Sequence, residues 1–104
     1  MGNRWRGEVM LVVEGQHHRM RLTLGALAEL EEDLGETSLM ALVQRFETGG
    51  FSTRDVLALL VAGLRGGGTM MDPDQLAGAE IEGGPMRAAQ AAAELLARAF
   101  TVSS

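Results

Sequence analysis

The chain has 104 residues, enough for one small domain, and its 46% hydrophobic and 22% charged residues give a globular balance that excludes disorder. It contains no Cys, Lys or Tyr, which removes disulfides, thiolate-held metals, phosphate-binding lysine loops and Schiff-base chemistry together. A net charge of −5 disfavours nucleic acid as a partner, and the longest apolar run, Val56 to Leu64, falls far short of the roughly 20 residues of a membrane span.

The opening Met1-Gly2-Asn3-Arg4-Trp5-Arg6 lacks an apolar signal core, and Arg6 stands where a myristoylation signal needs Ser or Thr. The expectation is a cytoplasmic protein that does not engage membranes. Through Leu24 the chain carries four Arg against Glu8 and Glu14, a net of +2, whereas the rest carries five Arg against twelve acids, a net of −7. A basic hairpin on an acidic body is the picture this suggests.

Glu8 to Leu24 alternates as two strands. Val9, Leu11 and Val13 share one face of the first, and His18, Met20, Leu22 and Leu24 share one face of the second. Glu14-Gly15-Gln16-His17 supplies the turn, with Gly15 free to take a positive φ. A two-stranded hairpin is marginal alone and must pack on something.

From Leu24 the period becomes helical, with Thr23 as cap, Leu24, Leu27, Leu30 and Leu34 as an apolar stripe and Gly35 as the stop. Thr37 or Ser38 restarts a helix through Leu39, Leu42, Val43 and Phe46, ended by Gly49-Gly50. Ser52-Thr53-Arg54-Asp55 has the form of a capping box, and the helix it opens is apolar nearly all round, which marks it as the buried centre.

Gly66-Gly67-Gly68 ends that helix and reads as a flexible joint. Asp72-Pro73-Asp74-Gln75 starts a short helix stopped by Gly83-Gly84, and Pro85 opens the last one. Met86, Ala89, Ala93, Leu96 and Phe100 form its apolar stripe, with Arg87, Gln90, Glu94 and Arg98 opposite and Glu94–Arg98 as a favourable pair. The expected architecture is α+β: an N-terminal two-stranded antiparallel hairpin packed on four to five helices. It forms a single domain over residues 1–104, with the hairpin in 6–24, the helical part in 24–100, and 1–5 and 101–104 frayed.

Nothing in this pattern assembles a catalytic site. His17 and His18 point to opposite faces of a strand, which makes them poor joint metal ligands. Asp72, Asp74, Glu80 and Glu82 miss the spacing of a calcium loop, and helix capping accounts for Asp72. The triple glycine follows a helix rather than a strand, so it is no phosphate loop. The reading is non-enzymatic, with no cofactor and no metal.

The candidate binding residues are Glu29, Glu32, Asp33 and Glu36, which fall on one helix side, and Met70-Met71 beside the short helix. The acids read either as a solvated face or as a docking face for a basic partner. Met is adaptable and recurs on binding surfaces, but Met10, Met20, Met40 and Met86 sit at plausible packing positions.

The segments "LTLGALAELEEDLG", "SLMALVQRF", "FSTRDVLALLVAGLRGGG" and "AEIEGG" together resemble a small protein of the bacterial gene transfer agents, over roughly Arg6 to Phe100. These agents are phage-tail-like particles. The family is regarded as a tail assembly chaperone and is also described as a tail tube protein. The resemblance implies no catalytic residues, and it implies binding to the tape-measure protein and to tail tube subunits. Leu24, Leu27, Leu30, Leu57, Leu60 and Leu64 match as fold determinants. The alternative is a structural tail component retained in the finished particle, although one hairpin is little strand for a tube wall. Self-association through the hairpin edges is left open.

Overall fold

The structure is a computed structural model that describes residues 8–35 and 38–100. Strands β1 (Val9–Val13) and β2 (Gln16–Met20) pair antiparallel, with Val9 opposite Met20 and Val13 opposite Gln16. The turn has two residues, Glu14 at φ 51° and Gly15 at φ 78°, rather than the four the sequence suggests. Positive φ at both positions gives the turn whose twist matches that of the flanking strands.

Helices α1 (Leu24–Leu34), α2 (Leu39–Thr48), α3 (Thr53–Gly66), α4 (Pro73–Ala77) and α5 (Gly84–Ala99) follow, so the α+β expectation holds. Four of their starts have a side-chain cap. The side-chain oxygens of Thr23, Ser38, Ser52 and Asp72 accept from the backbone N–H groups of Ala26, Ala41, Asp55 and Gln75. Ser52–Asp55 and Asp72–Gln75 are full capping boxes. Asp55 is itself buried and accepts from the Arg45 guanidinium at 3.0 Å, so the cap also ties α2 to α3.

Helix α3 is the axis of the fold. Leu59, Leu60 and Leu64 have no exposed surface, and α1, α4, α5 and β2 all pack on this helix. Each such side chain contributes about 1.5–3 kcal/mol of burial. The core continues through Val9, Leu11 and Val13 of β1, Met20 of β2, Leu30 of α1 and Leu42 of α2, up to Ala91, Ala92 and Leu95 of α5.

The C-terminal end of α3 meets β2 through glycine. A methyl group at Gly66 would collide with the Arg21 carbonyl oxygen, and one at Gly67 with that of Arg19. At Gly63 it would lie 2.6 Å from a Leu95 methyl, and the Gly63 carbonyl accepts from the Arg21 N–H at 3.0 Å. The stretch read from sequence as a joint is therefore a backbone-to-helix contact, with only Gly68, at φ 104°, beyond it.

Several packing expectations are corrected. Leu24 is 87% exposed, because it is the first residue of α1 and Ala26 takes the inward position. Met10, Met40 and Met86 are exposed, and of the four methionines expected to pack only Met20 is buried. Helix α4 stops at Gly78, five residues before the expected glycine pair, because residues 80–82 leave it to bond the end of β1 through a single bridge at Ile81. The buried arc of α5 is Ala88, Ala91, Ala92, Leu95 and Leu96. That arc is rotated from the expected stripe, of which Met86 and Ala93 are exposed. Glu94 pairs with Arg87 at 3.6 Å rather than standing in the expected pair with Arg98.

Candidate partner-binding surfaces

A short sheet exposes unpaired backbone groups along its edges, where another chain can pair. Here the chain covers much of both itself. On the β1 edge, the Glu14 N–H donates to the Glu80 carbonyl at 2.8 Å and the Glu82 N–H donates to the Val12 carbonyl at 3.0 Å, around a bridge between Val13 and Ile81. The Glu14 carboxylate also accepts from the Glu80 N–H at 2.7 Å, and the Arg87 guanidinium donates to the Met10 carbonyl at 2.6 Å. On the β2 side, Arg21 is bonded to Gly63 and the carbonyls of Arg19 and Arg21 lie against the glycine end of α3.

The acidic side of α1 divides in two. Glu29 is half-buried and forms an ion pair with Arg65 of α3. That hydrogen bond, followed by the Glu29 charge and then by Asp33, raises the Arg65 pKa above its ordinary value. Glu32 and Asp33 are exposed, as is Glu31 beside them, while Glu36 lies outside the described residues. Glu29 therefore joins two helices instead of standing free with the others. Met70 is 72% exposed, whereas Met71 packs half-buried on the core. His17 is exposed, and His18 lies 3.3 Å from the Thr69 hydroxyl. Among the described residues, no three His, Asp or Glu side chains come together as a metal site, and no helix is long and apolar enough to cross a membrane.

The sequence reading missed two hollows along α5. One, of about 420 Å³, lies between α3, α4 and the start of α5, with Phe51, Leu57, Leu76, Ile81 and Ala89 among its walls. The other, of about 320 Å³, lies between α2 and the end of α5, with Val43, Phe46, Ala93, Leu96 and Phe100. The rings of Phe46 and Phe51 stack at 4.5 Å, nearly parallel, where the two hollows approach each other. The signal that could have found them is the width of the apolar arc on α5, which exceeds what one buried face requires.

The small α+β body thus carries largely covered strand edges, apolar hollows between helices, and exposed acids and methionines. The chain belongs to the family described as phage tail tube protein, GTA-gp10, whose match spans residues 6–102. It is thus a tail-related protein of gene transfer agents. No curated protein and no solved structure matches the chain.

Proposed function

We propose that this protein is a tail assembly chaperone of a gene transfer agent. It acts in the cytoplasm of the producing cell by binding the tape-measure protein and tail tube subunits, with no catalytic step. The observation that carries this reading is the covered hairpin. A wall built by pairing strands edge to edge needs open edges, yet the two strands here already have Glu80, Glu82 and Arg87 on one edge and the glycine end of α3 on the other. A helical body with apolar hollows fits transient capture of helical segments better than a wall position.

The second reading is a structural, tube-associated subunit retained in the mature particle. The family's own description as a tail tube protein favours it. Particle composition separates the two. Quantitative mass spectrometry of purified particles is expected to find the protein absent or far below the tube stoichiometry, and recovery at tube stoichiometry overturns the chaperone reading.

Within this reading the acids of α1 and the Met70–Met71 pair are further partner contacts. Glu32 and Asp33 carry most of the electrostatic part, with Glu36, because Glu29 is engaged by Arg65. Replacing all four acids by Gln is expected to slow association with the tape-measure protein at low salt, and to do so less at physiological salt, where exposed charges are screened over about 8 Å. Equal rates at both salt concentrations would leave the acids as a solvated surface.

A further inference from the structure

Helix α5 is apolar over two adjoining sides. Ala91, Ala92 and Leu95 face the core. Ala89, Ala93 and Phe100 lie on the neighbouring side and line the two hollows instead. That second side is the stripe that sequence periodicity assigned to the interior, and Ala93 and Phe100 on it are exposed.

The hollows follow one another along the same side of α5. The first touches it from Gly84 to Ala89 and the second from Ala93 to Phe100, with the stacked Phe46 and Phe51 rings on the opposite wall. From Pro85 to Phe100 the helix rises about 22 Å, the length of roughly four turns of a partner helix. Small side chains at Ala89 and Ala93 let another helix approach closely, and the hollows on either side accept its larger side chains.

Charge at the margins selects the occupant. Glu47 is part of the second hollow, Asp74 stands exposed on α4, and Glu80 and Glu82 line a neighbouring hollow that shares Ile81, Gly84 and Pro85 with the first. The bases nearby are largely committed: Arg45 to Asp55, and Arg87 to Glu94 and the Met10 carbonyl. Arg54 and Arg98 remain against four acids.

We infer that the side of α5 formed by Ala89, Ala93 and Phe100, with the Phe46–Phe51 stack opposite, is a groove that docks one amphipathic helix of another protein with large apolar residues along one stripe and basic residues flanking it. The inference rests on the chaperone reading for the identity of the partner, the tape-measure protein, but not for the existence of the groove.

The test places a photo-cross-linking benzoylphenylalanine at Ala93, or at Gln16 on the hairpin tip as a control, in the full chain produced together with the tail gene cluster. Binding of the purified tape-measure protein is measured in parallel for wild type, Ala93→Arg and Glu47→Arg. Ala93 is exposed, so these chains are expected to melt like wild type. Cross-links from position 93, absent from position 16, are expected within a basic-flanked amphipathic helix of the tape-measure protein. Ala93→Arg is expected to bind roughly tenfold more weakly. Glu47→Arg is expected to weaken binding about threefold at low salt and less at high salt.

Cross-links from position 93 to such a helix in a different tail protein would keep the groove and overturn the tape-measure assignment. Wild-type affinity in Ala93→Arg without cross-links from position 93 would overturn the groove and leave the chaperone reading standing. Cross-links to a second copy of this chain would also overturn the groove, and failure of wild type both to bind and to cross-link would overturn groove and partner together.

Discussion

The two flanks of α3 are built differently. Toward the hairpin, the helix presents Gly66 and Gly67, and the backbone of Arg19 and Arg21 lies so close that a single added methyl group has nowhere to go. Toward α4 and the start of α5, Val56, Leu57 and Leu60 instead border a hollow of about 420 Å³. One flank is closed by backbone contact and hydrogen bonds, and the other is apolar and incompletely filled. The contrast separates them: the hairpin flank fixes the fold, and the α5 flank is the one that the proposed groove uses.

The comparison breaks most severely at the axis both flanks share. Leu60→Asp places a charge where there is no exposed surface, at a cost of several kcal/mol in a domain whose whole stability is of order 5–15 kcal/mol. Circular dichroism is expected to show loss of the cooperative melt. A native transition in that variant would remove α3 from the centre.

Glycine replacements sharpen the contrast between tight and open sites. Gly66→Ala is expected to destabilise by about 2–3 kcal/mol, since the β2 backbone must move to admit the methyl group. Gly25→Ala, in the exposed first turn of α1 with only the Thr23 hydroxyl 3.9 Å away, is expected to stabilise by about 0.5–1 kcal/mol. Chemical denaturation of the pair tests both signs in one experiment, and equal effects would refute the tight contact.

Asp55→Ala removes the reciprocal half of the capping box, the carboxylate that accepts from the Ser52 N–H, and leaves the Arg45 guanidinium without its partner; it is expected to cost about 1–3 kcal/mol. Because Asp55 is buried, the loss should persist in high salt. The smallest effect belongs to Glu29→Gln at the exposed Arg65 pair, where a slight fall in melting temperature should fade as salt is raised. A large, salt-independent fall would give that pair a structural weight comparable to the Asp55 cap.

Local chemistry made most element boundaries legible. The caps Thr23, Ser52 and Asp72, and the stops Gly35 and Gly49, act on backbone groups within a few residues of themselves, so sequence alone places them, and for α2 it narrowed the cap to Thr37 or Ser38, of which the structure shows Ser38. The apolar character of α3 likewise named the buried axis without knowledge of its neighbours.

What needed the tertiary structure was every choice between two surfaces of similar polarity. On α5 the periodicity offered more apolar positions than one face can bury, and only the placement of α3 and β1 decided that Ala91 and Ala92 turn inward while Ala89 and Ala93 line hollows. Glu29 reads the same as Glu32 along the chain, yet Arg65 lies thirty-six positions later and reaches only Glu29 through the packing of α1 on α3. The seal on β1 comes from residues 80–82, whose irregular course around one bridge has no periodic signature of its own. Capping and helix periodicity are short-range and written in sequence, whereas burial, pairing and edge coverage depend on which distant surface arrives, and the assembled core makes that selection.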